Sequence, residues 1–138
     1  MMILDTNVIS ECMRSRPAPR VMAWLASQPS SAVFLTAVTT AELQYGAAIL
    51  PEGRRREQVQ RAIQGMIDED FVGRVLPFDG EAAQAYAEIA SASRSAGRPI
   101  SPFDCQIAAI ARARGAVIAT RNVEDFLNCG VEIINPWS

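Results

Sequence analysis

The chain has 138 residues, 49% of them apolar, and a formal net charge of −2. That suffices for one packed domain, 1–138, and is too little positive charge for broad coating of nucleic acid. It contains no histidine and no lysine, all thirteen basic residues being arginine, which excludes Ser-His-Asp and Cys-His nucleophile pairs, His-ligated zinc, P-loop phosphate binding and Schiff-base chemistry.

In chain order, the apolar run Met2–Leu4 predicts a short buried strand closed by Asp5-Thr6-Asn7. Val8–Arg14 and Arg20–Ser27 read as a short helical pair, and Ala32–Thr36 as a second strand. Thr40–Leu50 and Arg54–Asp70 form a helix hairpin broken at Pro51-Glu52-Gly53. In its second arm Val59, Ile63, Met66 and Ile67 share one helical face. Arg74–Phe78 reads as a third strand, followed by the Ala-rich helix Glu81–Ala96 and by Pro102–Arg114. Strands at Ala116–Thr120 and Val131–Ile134 bracket a turn of helix at Val123–Asn128. This alternation indicates a parallel sheet covered on both faces, whose sites form beyond the carboxyl ends of the strands.

Three cysteines, Cys12, Cys105 and Cys129, are odd in number and lack a Cys-x-x-Cys spacing. Together with the absence of a basic leader or an apolar span, they suggest a reducing, cytoplasmic setting. Cys105 reads as core. Trp24, Trp137 and Tyr45 read as packing residues, and Arg54-Arg55-Arg56 as a solvated helix start.

Acids recur where strands end. Asp5 closes the first strand, Glu42 stands three residues after Thr39, Asp104 three after Ser101, and Asn122 and Asp125 follow Thr120. Two readings stay open. Ser/Thr-x-x-acid is a capping pattern, Pro102 suits a first helical position, and a cap contributes about 1 kcal/mol. Alternatively, the helices that follow parallel strands start on one edge, which brings Asp5, the Glu42 helix and the Asn122 turn together. Asp104, on a helix that precedes a strand, is not placed there by this rule. Two carboxylates 4 Å apart repel by about 4 kcal/mol at an effective dielectric near 20, so clustered acids take up protons or a cation. With oxygen donors only, the matching ion is Mg²⁺ or Mn²⁺.

The segments MILDTNVISE, TTAELQYG, SPFDCQIAAIA, ATRNVEDF and VEIINPW, in this order and spacing, resemble the PIN-domain family, in particular its VapC-type, FitB-like toxins. The resemblance implies a three-layer α/β/α sandwich with a central parallel sheet, and a Mg²⁺- or Mn²⁺-dependent ribonuclease. The family's acids match Asp5, Glu42 and Asp104. Its fourth acidic position falls on Asn122, which keeps an oxygen acceptor but lacks a charge, so a second metal would be held less firmly. In the implied mechanism Asp5 and Asp104 hold the ion, Glu42 orients or deprotonates the attacking water, and Asn122 bonds a metal water or the scissile phosphate.

Thr6 is read as fixing the turn behind Asp5 or touching a metal water. Asp125 caps or partly replaces the missing charge, and Arg98 and Arg121 grip RNA phosphate or are simply solvated. The resemblance also implies a cognate antitoxin, DNA contact only through that antitoxin, and a homodimer. The apolar hairpin Thr40–Asp70 is a candidate docking groove for the antitoxin tail. Competing readings are a phosphatase or phosphotransfer receiver, which Asn7 and the missing lysine oppose, and a non-catalytic binding member of the same fold, which Asn122 favours.

Overall fold

The computed structural model describes residues 1–138. Five strands, β1 (Met2–Leu4), β2 (Val33–Thr36), β3 (Val75–Leu76), β4 (Val117–Ala119) and β5 (Ile133–Ile134), form one all-parallel sheet. Their order is β3-β2-β1-β4-β5. The central strand pairs on both sides, Ile3 standing opposite Phe34 of β2 and Ile118 of β4. Strand order reverses at β1 and β4, the place where an open parallel sheet leaves a crevice beyond its carboxyl ends.

Six helices cover the sheet: α1 (Thr6–Cys12), α2 (Pro19–Ala26), α3 (Ala37–Ala48), α4 (Arg54–Gly65), α5 (Gly80–Ser95) and α6 (Pro102–Arg114). Because successive strand residues point to opposite faces, Ile3 and Ile118 enter one apolar cluster with α5 and α6. Leu4, Leu35 and Ala119 enter the other, with α1 to α4. The result is the expected three-layer α/β/α architecture. As anticipated, Val59, Ile63, Met66 and Ile67 pack together against the second cluster.

Several boundaries differ from the sequence reading. The Arg74–Phe78 segment pairs only over Val75–Leu76, because it lies at the sheet edge and Pro77 has no amide to give a ladder. The second arm of the hairpin is α-helical to Gly65 and then widens into a π-turn at Met66–Asp70. Helix α3 starts at Ala37, three residues earlier than expected, because Thr36 is its cap and accepts from the Thr39 amide. Tyr45 is 68% exposed and Ile49 65%, so Tyr45 is not the packing residue its type suggested.

The path of α6 matters most. Its C-terminus, closed by left-handed Gly115, feeds directly into β4, and Val117 N–H reaches Met1 C=O beside the start of β1. A helix delivering the chain to the amino end of a parallel strand must itself begin at the carboxyl edge. Asp79 at the cap of α5 meets Arg114 at the end of α6 at 3.7 Å, so α5 and α6 run antiparallel, and the start of α6 lies beside the end of α5. Asp104 is therefore carried to the strand mouths after all.

Candidate functional site

Asp5 caps α1 with its own side chain. One carboxylate oxygen accepts from Thr6 N–H at 2.8 Å. The other accepts from the Thr120 hydroxyl at 2.7 Å and from Asn7 Nδ2 at 3.1 Å. Asp5 is 5% exposed and Thr120, at the end of β4, is fully buried. The Thr120 oxygen in turn accepts from Asn7 Nδ2 at 3.2 Å and from the Asn122 amide at 3.0 Å. Asn7 Oδ1 accepts from Arg121 N–H at 3.2 Å. One hydroxyl thus ties the first acid to the turn that carries Asn122, across the β1–β4 junction. Thr120 was not singled out from the sequence. Its signal, a hydroxyl directly after a buried strand, acquires meaning only once β4 lies beside β1.

Glu42 is not a cap. Thr36 holds the cap of α3, and Glu42 lies in the second turn, where its Oε1 accepts from the Thr6 hydroxyl at 2.8 Å. The Thr6 and Thr39 hydroxyls are 3.1 Å apart, so Thr6 bridges the first acid's turn to the second acid's helix. Asp104 sits in the first turn of α6, whose cap Ser101 accepts from the Asp104 amide at 3.2 Å. Here the capping reading holds, and the carboxylate itself is left for the cleft. Both halves of the capping-or-site choice are thus present in one molecule.

Asp5, Glu42, Asp104 and Asn122 line one open cleft of about 490 Å³, together with Thr6 and Arg121. Glu11 also reaches it, but that carboxylate accepts from Ala18 N–H at 3.0 Å and pairs with Arg14 at 3.3 Å. These partners, the Ala18 amide first, hold its pKa below the ordinary carboxylate value. The other three acids shift the opposite way. Burial raises the pKa of Asp5 against its hydrogen bonds from Thr120, Thr6 and Asn7. Burial raises Glu42, with the charges of Asp5 and Asp104 adding to it, and burial raises Asp104, with Asp5 and Asp125 adding. None of the three has an arginine within ion-pair distance. Asp125 does not join the cleft and does not cap; it lines a neighbouring cavity on the far side of Asp104.

Arg121 stacks over the Trp137 ring at 5.2 Å, and both line the cleft. Trp137 therefore does more than pack: it holds a guanidinium at the mouth of an acidic site, the geometry of a cation–π contact. Arg98 lines the neighbouring cavity and not this one. Arg54, Arg55 and Arg56 begin α4 as exposed or half-exposed residues, as expected, and Cys105 is buried with its thiol pushed up to about 11 by burial.

No three acids close into a chelate. The donor set is nonetheless chemically apt for a hard divalent ion: unpaired carboxylates and one amide oxygen on a single cleft. Mg²⁺ is commonly held by one or two carboxylates while keeping several waters, so a closed cage is not required.

The PIN-domain family model matches residues 2–128. The VapC ribonuclease Y4jK of Sinorhizobium fredii is 42% identical over 99% of this chain and 98% of its own length. Toxin FitB of Neisseria gonorrhoeae is 41% identical over 99% of both. The solved structure of FitAB bound to an IR36 DNA fragment superposes with a TM-score of 0.94 at 40% identity, covering 100% of this chain and 96% of that one. The chain belongs to the PIN-domain family, within its VapC- and FitB-like branch.

Proposed function

We propose that this protein is a Mg²⁺- or Mn²⁺-dependent endoribonuclease toxin held by a cognate antitoxin. The observation that carries the reading is the meeting of Asp5, Glu42 and Asp104, from three separate elements, on one cleft with no basic group bonded to them. Capping alone accounts for none of the convergence; burial first, and mutual repulsion after it, raises Glu42 and Asp104, and a bound cation relieves the repulsion.

Asp5 and Asp104 would hold the ion, with Glu42 completing the acidic wall. When bound, a divalent cation acidifies water and neutralises charge growing on a phosphoryl oxygen. Glu42 orients the attacking water and accepts its proton, the role of a positioned carboxylate base. Thr6 fixes the Glu42 carboxylate through its 2.8 Å hydrogen bond. Asn122 donates to or accepts from groups around the scissile phosphate without adding charge, and Arg121, braced on Trp137, receives the RNA backbone. No step requires an imidazole, in keeping with a chain that has none.

The antitoxin partner is read from relatives solved as FitAB and VapBC complexes, some of them bound to DNA; DNA contact through the antitoxin and a homodimer are part of this proposal. Exposed Tyr45 on α3 and Ile49 at its C-cap, four residues on, give the antitoxin tail an apolar hold beside the helix hairpin. No helix is long and apolar enough to cross a membrane.

The test is cleavage of RNA by the purified chain with Mg²⁺ or Mn²⁺, followed by analysis of the new ends. The expected products carry a 5′-phosphate and a 3′-hydroxyl. Cyclic-phosphate ends would remove this mechanism. A second reading, a protein that only binds its partner, draws on Asn122, an uncharged residue where an acid would strengthen metal binding; it requires no cleavage under any metal condition.

A further inference from the structure

The acid cleft does not end at Asp104. Beyond it a second cavity of about 290 Å³ opens between the end of α5, the loop into α6 and the segment after β4. Its floor is apolar: Ile89 and Cys129 are each 3% exposed, and Ile100 is half-buried beside them. Its rim is polar, with Arg98 from the α5–α6 loop and Glu124, Asp125 and Asn128 from the segment after β4. None of Arg98, Glu124 or Asp125 takes part in an ion pair within the chain. An apolar bed with a few convergent polar groups is the composition of a small-molecule site, and this volume lies at the small end of such sites.

We propose that this cavity takes one unstacked guanine of the RNA strand whose neighbouring phosphate lies in the acid cleft, an inference that rests on the ribonuclease reading above. The two sites share Asp104 as a wall, so a strand passing through the cleft reaches the cavity with its adjacent nucleotide. Glu124 and Asp125 repel phosphate, so the base enters and the backbone stays outside, with Arg98 placed to meet it. Ionised carboxylates accept hydrogen bonds only. Guanine offers them two adjacent donors, N1–H and the 2-amino group, and the Asn128 amide is a donor for its O6. Adenine and cytosine offer an amino group beside an acceptor nitrogen, and uracil flanks its single N–H with two carbonyl oxygens. Splayed single-stranded bases read along their Watson–Crick edge are the usual route to RNA sequence preference.

The experiment sequences the ends cut from a random-sequence RNA pool by the wild type, by Ala92→Phe and by Glu124→Gln. Ala92 is an exposed lining residue, and a phenyl ring there fills the cavity; Glu124→Gln keeps the size and removes one acceptor charge. The wild type is expected to favour guanine over uracil by about tenfold or more at one position beside the cut, the scale of one good bidentate contact. Both variants are expected to lower that ratio severalfold. The ratio is the readout, so a change in rate does not decide the matter. Cleavage with no base preference, or a preference unchanged in both variants, overturns the subsite and leaves the nuclease reading standing. If no RNA is cut at all, that reading falls instead, and the cavity is judged by titrating the metal-free protein with guanosine 5′-monophosphate. Chemical-shift changes at the Ile89 and Cys129 amides, lost in Ala92→Phe and much weaker with uridine 5′-monophosphate, support the subsite; no change overturns it.

Discussion

The two ends of helix α6 treat acids in opposite ways. At its C-terminal half, Arg112 pairs with Glu88 at 3.1 Å and Arg114 with Asp79 at 3.7 Å, all on partly exposed side chains. At its N-terminus, Asp104 faces Asp5 and Glu42 across a cleft with no arginine in pairing range. Thirteen arginines were available, yet none neutralises this cluster. One end spends its acids on surface pairing of small worth; the other leaves them free for a positive charge that the chain itself does not supply.

The largest expected break of this contrast is Asp104→Asn. RNA cleavage should fall by about 10²–10⁴-fold, the scale for losing one charged group of a catalytic cluster. The same change removes a repulsive charge, so in EDTA the variant should melt about 1–3 °C higher than the wild type, after allowing for solvent screening. A lower metal-free Tm with retained cleavage would count against a shared acid cluster. The sign of the pH dependence follows. Asp5, Glu42 and Asp104 all have raised folded-state pKa values, so these three groups bind more protons in the native metal-free chain than in the unfolded one, with Glu11 acting the opposite way. The stability contributed by the three is full below the ordinary carboxylate range and is lost as pH rises through the raised values. Saturating Mn²⁺ at neutral pH should reverse that loss, adding about 2.7 kcal/mol when the ion is at a hundred times its Kd. Calorimetric melts with and without metal across pH check both statements.

A smaller effect is expected from Thr120→Val, which leaves the charges and removes the buried hydroxyl that donates to Asp5 and accepts from the Asn122 amide. Leaving these partners unsatisfied should cost about 1–3 kcal/mol of unfolding free energy, measured by urea denaturation, and should lower cleavage by loosening Asp5. Smallest of all is Glu88→Gln at the other end of α6. An exposed pair of this kind is worth about 0–1 kcal/mol, so the melting point should move by no more than about 4 °C and cleavage not at all.

Much of this was legible in the chain. Met2–Leu4 with Asp5 behind it, the apolar face of α4, and Pro102 with Ser101 as the start of α6 all follow from local periodicity and capping chemistry. Thr39-x-x-Glu42 misled for a local reason: Thr36 offered an earlier hydroxyl, took the cap, and freed Thr39 and Glu42 to face Thr6. Asp104 was left unplaced by the strand-edge rule through a topological omission, and only the family resemblance set it beside Asp5 and Glu42. The edge rule was applied to helices that follow strands, although a helix that leads into a parallel strand begins at the same edge. Trp137 and Arg98 carry no signal in their own neighbourhoods, since one gains its role from Arg121 and the other from a cavity built by three segments.

Composition and order alone determined the kind of chemistry open to this protein: oxygen donors without imidazole or amine, on alternating strands and helices that must bury both faces of a sheet. Only the tertiary structure decided that these oxygens share a cleft, that a second cavity adjoins it, and that Asp125 lines that cavity while its charge still reaches Asp5 and Asp104. The physical reason is range. Capping and periodicity act over a few residues, whereas Asp5 and Thr120 meet because β1 pairs with β4, more than a hundred residues downstream.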